Sequence, residues 1–131
     1  MIGIDTNILV RYLVQDDAVQ SARATDLVEK RLSPEHPGFI STVVMVETAW
    51  VLARSYRRDS QAIAAAIERL LRADVFVVDS EQEVFTAMCV AREGRGSFSD
   101  ALIAELAIAA GCAYTLTFDQ KAARLSGFLP A

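Results

Sequence analysis

The chain has 131 residues, 14.3 kDa, with 53% hydrophobic and 23% charged residues and a mean hydropathy of +0.28, which excludes a disordered chain and is the commonest size for one domain. A net charge of −4 and an isoelectric point near 4.9 argue against a nucleic-acid binder that relies on a broad basic surface. No stretch approaches the roughly 20 uninterrupted apolar residues of a membrane span.

In chain order, "MIGI" reads as a first strand. The start has neither the basic region nor the small-residue cleavage site of a secretory signal, so a cytoplasmic protein is expected. A helix is predicted over 7–14, and a second over 18–32, capped by Asp16 or Asp17 and ended by Ser33-Pro34. "PEHPG" is a loop holding the only histidine, His36, which is expected to face solvent and is given no role. After the strand "GFIS" come helices over 43–56 and 60–73, then the strand "VFVV", a helix opened by Asp79-Ser80 and running to Arg92, and a basic loop "EGRGS". "FSDALIAELAIAAG" is a short apolar helix closed by Gly111. "AYTLT" is a strand, and a brief helix with an edge strand near Phe128 finishes the chain. Strands alternating with helices imply βαβ units and a mostly parallel sheet covered on both faces, an α/β fold. Residues 1–131 read as one domain without repeat, linker or low-complexity tract. Cys89 and Cys112 stand in apolar segments without C-x-x-C spacing and are expected to be buried free thiols.

Four carboxylates stand out. Asp5 follows the first strand directly, at the edge where open parallel sheets place ligands, and is equally suited to cap the helix after it. Glu47 has Val43, Val44, Trp50 and Val51 at three and four residues to either side, so it is expected to point toward the core. A salt bridge to Arg54 or Arg57 is the structural alternative. Asp100 fits a capping box with Ser97, and Asp119, one residue past "YTLT", is able to cap the last helix. Singly, Asp100 and Asp119 read as caps. A parallel sheet, however, gathers strand ends and helix starts along one edge, where one cleft could collect all four. Crowded carboxylates repel unless cations are present, and hard oxygen donors select Mg²⁺ or Mn²⁺. With the four acids set aside, 13 basic residues balance 13 remaining acidic ones. No Ser-His-Asp or Cys-His set is present, and "EGRGS" is not a phosphate-binding P-loop.

"DTNILVRYL", the acid of "STVVMVETAWVL", "FSDALIAELA" and "TFDQKAARLSG" resemble, in order and spacing, the motifs of PIN-domain ribonucleases, and more narrowly those of VapC-type toxins of toxin–antitoxin systems. The resemblance implies a three-layer α/β/α sandwich around a parallel sheet of four or five strands. It matches Asp5, Glu47, Asp100 and Asp119 to the acidic quartet of the family and Thr6, Asn7 and Thr117 to the polar residues that orient it. It also implies an Mg²⁺- or Mn²⁺-dependent endoribonuclease, an RNA substrate, a small antitoxin partner and a homodimer. A groove for the antitoxin is expected on the first two helices, where Ile8, Leu9, Tyr12, Leu13, Val19, Leu27 and Val28 exceed what one face against a sheet needs. Two rivals are a PIN-like module that binds RNA or protein without cleaving it and a receiver-type metal-binding signalling domain. The receiver wants an acidic pair after its first strand, where Asp5 stands alone.

Overall fold

A computed structural model describes residues 1–131. Five short strands, β1 (Ile2–Gly3), β2 (Gly38–Ile40), β3 (Phe76–Val78), β4 (Thr115–Thr117) and β5 (Phe128–Pro130), alternate with six α-helices. These are α1 (Thr6–Val14), α2 (Ala18–Asp26), α3 (Thr42–Arg54), α4 (Ser60–Arg72), α5 (Glu81–Arg92) and α6 (Phe98–Ala109). Every paired strand is parallel, as expected. The strands form two ladders, β1-β2-β3 and β4-β5, so the fifth strand exists and the sheet layer between the helices is small.

Local chemistry accounts for the elements. Asp17, Ser41, Asp59 and Ser97 cap α2, α3, α4 and α6, each accepting a backbone N–H from the first turn. Gly111 takes a φ of +98° just past α6, where an L side chain would be strained. Gly38 is required by space: a Cβ there would come within 2.8 Å of Ile4 and 2.9 Å of Leu32. The predicted helix over 18–32 is α-helical only to Asp26. Leu27–Arg31 widens into one π turn, with the Leu32 N–H donating to the Leu27 carbonyl at 3.0 Å.

One apolar core extends from Ile4 to Phe128, with Leu9, Ile40, Met45, Ile67, Leu70, Met88 and Leu102 almost fully enclosed. Most of the apolar excess on α1 and α2 is consumed there. Leu9 and Val28 are buried, and Ile8, Tyr12, Leu13 and Leu27 pack against the core, which leaves Val19 exposed. The antitoxin groove expected from that excess is therefore reduced, because α1 packs against both α2 and α3 and so needs more than one apolar stripe. Both thiols are free, but Cys112 is exposed just past the end of α6, and Cys89 is half-buried on α5 where it packs against the core.

Candidate active site

β1 ends at Gly3, and after Ile4 Asp5 turns the chain into α1 from an extended conformation, with its Oδ1 accepting the Thr6 N–H at 2.8 Å. On the neighbouring strand β2, Ser41 caps α3 and sets its helical phase, which carries Glu47 up the second turn. Asp5 and Glu47 come together in one open pocket of about 390 Å³, whose walls also include Thr6, Asn7, Arg11 and Tyr56. Asn7 is exposed and Thr6 is buried. The Thr6 hydroxyl is enclosed without a hydrogen-bond partner, a costly state for a buried polar atom.

Glu47 does not point into the core. α3 buries Met45, Thr48, Ala49 and Leu52, and Glu47 lies on its outer side between Val43, 75% exposed, and Trp50, 54% exposed. Its sequence neighbours are apolar because the exposed face of α3 is itself apolar. No salt bridge holds Glu47. Arg54 instead stacks over the Trp50 ring at 5.2 Å.

Asp100 and Asp119 are placed outside that pocket. Asp100 stands half-buried in the first turn of α6, where its N–H donates to the Ser97 hydroxyl at 3.1 Å. Asp119 is the second residue after β4. Its Oδ1 accepts from Lys121 N–H at 2.7 Å and from Ala122 N–H at 3.1 Å, so it folds the 3-10 turn at Ala122–Arg124. The Thr117 hydroxyl accepts the Asp119 N–H at 3.0 Å and fixes that turn to the end of β4. No three acids of the chain converge on one point. The expected cleft for four is here a pocket for two, with the third at a helix start and the fourth on a turn.

The donor chemistry of the pocket suits a hard divalent cation. Mg²⁺ is commonly held by one or two carboxylates and keeps several waters, and Asp5 and Glu47 supply those carboxylates beside the unpartnered Thr6 hydroxyl.

Arg11 and Tyr56 also line the pocket, and neither is among the residues expected there from the motifs. Arg11 Nη1 donates to Asp16 Oδ1 at 2.9 Å and to the Tyr56 hydroxyl at 3.0 Å, and Tyr56 donates to Asp16 Oδ2 at 2.7 Å. Asp16 is thus committed to this cluster and not to capping α2, which Asp17 does. The hydrogen bond from Tyr56, followed by the Arg11 charge, holds the Asp16 carboxyl below its ordinary range. The same bond to Asp16, together with burial, pushes the Tyr56 phenol up. For Arg11, position i+4 from Asn7 was a usable sign. For Tyr56, 45 residues from Arg11, there was none.

The PIN domain family model matches residues 2–127. The chain belongs to the PIN domain family. PIN domains are generally metal-dependent nucleases, and the α/β layering and parallel strands of this one agree with the fold implied by its motifs. The membership takes it out of the receiver-type group. No curated protein is similar enough to this PIN domain to count as a relative.

Proposed function

We propose that this PIN domain, a single domain over residues 1–131, is an Mg²⁺- or Mn²⁺-dependent endoribonuclease that acts as the toxin of a toxin–antitoxin pair in the cytoplasm. The observation that carries the reading is the pairing of Asp5 and Glu47 in one solvent-open pocket beside a buried, unpartnered Thr6 hydroxyl. A bound divalent ion would lower the pKa of a water and neutralise charge building on the phosphate. Asp5, anchored through Oδ1 to the start of α1, has Oδ2 free to hold the ion, and Glu47 faces it from α3. Asn7 and Thr6 orient the pocket from the first turn of α1. Asp100 and Asp119 complete the quartet, with Thr117 setting the turn that carries Asp119.

The partner reading rests on the same neighbourhood. Val43, Val46 and Trp50 form an apolar strip beside Glu47, suited to an antitoxin that covers the mouth of the site. A homodimer is part of the same proposal.

Cleavage of mixed single-stranded RNA is the test. The parent should cut only with Mg²⁺ or Mn²⁺, and Glu47→Gln should reduce the rate by roughly 100-fold or more. Equal activity in EDTA, or in Glu47→Gln at saturating metal, would refute the catalytic assignment. The toxin role is tested separately. The chain expressed alone should arrest growth, and its genomic neighbour should restore growth and co-purify with it.

A further inference from the structure

A second open cavity, of about 350 Å³, lies between α1 and α2 and shares two residues, Asn7 and Arg11, with the Asp5–Glu47 pocket. Its walls carry three arginines, Arg11, Arg23 and Arg31, over a floor that includes Ile8 and Leu27, and no carboxylate lines it. In a chain of net charge −4 this is a local concentration of positive charge, and it opens beside the acids.

The π turn accounts for the alignment. In an α-helix four residues overshoot one revolution of 3.6, so Arg23, Leu27 and Arg31 would drift steadily around the axis. The wider i→i+5 turn at Leu27–Arg31 makes the second step fall short of a revolution and so reverses the drift, returning Arg31 over the face that carries Arg23. Neither Arg23 nor Arg31 is in an ion pair. Asp26, the acid nearest to Arg23 in sequence, is taken by Lys30 at 2.8 Å. Arg11 spends Nε on Gln20 and Nη1 on Asp16 and Tyr56, and its Nη2 has no protein partner.

We infer that the α1–α2 groove is the track for the RNA backbone. Arg23 and Arg31 bind successive phosphates, and Arg11 stands at the junction where the strand passes into the acidic pocket. The inference rests on the ribonuclease reading and deepens it by naming the path. Guanidinium groups match phosphate oxygens in geometry and charge. Each phosphate neutralised on a single strand contributes about 0.7 to the slope of log affinity against log salt. Substrate repelled by Asp5 and Glu47 thus gains a cationic approach next to them.

The experiment uses the full chain with Arg23→Ala/Arg31→Ala and Arg23→Lys/Arg31→Lys. Binding of a fluorescent mixed-sequence RNA is followed by anisotropy across a salt series in EDTA, and cleavage kinetics are followed in Mg²⁺. The alanine pair should weaken binding several-fold, flatten the salt slope by roughly 1.4, and lower kcat/KM far more than kcat. The lysine pair should recover most of the binding, which separates charge from misfolding. A parent that cuts RNA while the alanine pair keeps its KM and salt slope overturns the groove and leaves the nuclease intact. A parent that neither binds nor cuts RNA overturns both. Unchanged RNA kinetics with lost affinity for a co-purifying protein would give the groove to an acidic protein partner and overturn the RNA track.

Discussion

Tyr56 donates its phenolic proton to Asp16 across 40 residues of chain, 2.7 Å from hydroxyl to Oδ2, and so fastens the turn between α1 and α2 to the end of α3. Asp16 is held below its ordinary value of 3.8 mainly by this bond. A depressed carboxylate contributes stability that is present above its unfolded pKa and is lost as pH falls through the folded one. Tyr56→Phe should therefore lower the Tm at neutral pH, and the gap to the parent should close below pH 3.8. On the alkaline side, Tyr56 is raised above 10, so the contribution also fades as pH climbs past 10. Thermal melts of the two proteins from acid to alkaline pH check both limbs. A gap that ignored pH would mean that the phenol contributes by packing alone.

Divalent metal should raise the melting temperature. A ligand of the native state stabilises by about 2.7 kcal/mol at one hundred times its Kd. The shift should be lost in Asp5→Asn/Glu47→Gln, whose side chains share the pocket, and kept in Asp119→Asn, whose carboxylate is occupied with its own turn. Scanning fluorimetry across an Mg²⁺ series distinguishes these outcomes. A full shift in the Asp5/Glu47 double variant would move the ion elsewhere.

Two buried threonines offer a paired test. The hydroxyls of Thr6 and Thr48 are both enclosed and unpartnered, so replacing either residue by valine removes an unmet polar group and should stabilise by about 1 kcal/mol. Only Thr6 lines the Asp5–Glu47 pocket. Urea melts should show similar gains for the two variants, whereas RNA cleavage should fall in Thr6→Val and persist in Thr48→Val.

Gly38→Ala should destabilise by about 1–3 kcal/mol, the usual cost of overpacking. The added methyl would press on Ile4 and Leu32 where β2 lies beside β1. Ile4→Val in the same chain should return part of the loss. Additive effects on Tm would argue that the two positions are not in contact.

The strands and all six α-helices were legible, α2 with its end set too late, because their signals are local: caps, glycines, and apolar periods of 2 and 3.6. Asp5 was legible for the same reason, since a strand that ends on an acid places it at the sheet edge whatever else happens. Glu47 was found by a sound pattern with the wrong orientation. Apolar neighbours mark a face without saying whether that face is inside, and the burial of Met45 and Leu52 on the other side decides it. The π turn at Leu27–Arg31 leaves no mark in composition, because one widened turn keeps ordinary helix formers. The Arg11–Asp16–Tyr56 cluster joins residues whose proximity only the crossing of α1 and α3 creates.

β4 and β5 pair with no other strand, and Leu116 within β4 and Phe118 just after it are 61% and 93% exposed. Leu125 lies against Gly96, within 2.8 Å of where a Cβ would stand, and so latches this end of the chain to the loop before α6. The C-terminal strands share no ladder with β1-β2-β3 and are tied to the rest through Ala122, Leu125 and Phe128 in the common core, so their amides should exchange with solvent before those of β2. Asp5, Glu47 and Asp100 stand at the start of or within α1, α3 and α6, whereas Asp119 follows the separate C-terminal ladder. A local opening of that ladder would therefore move Asp119 alone among the four acids.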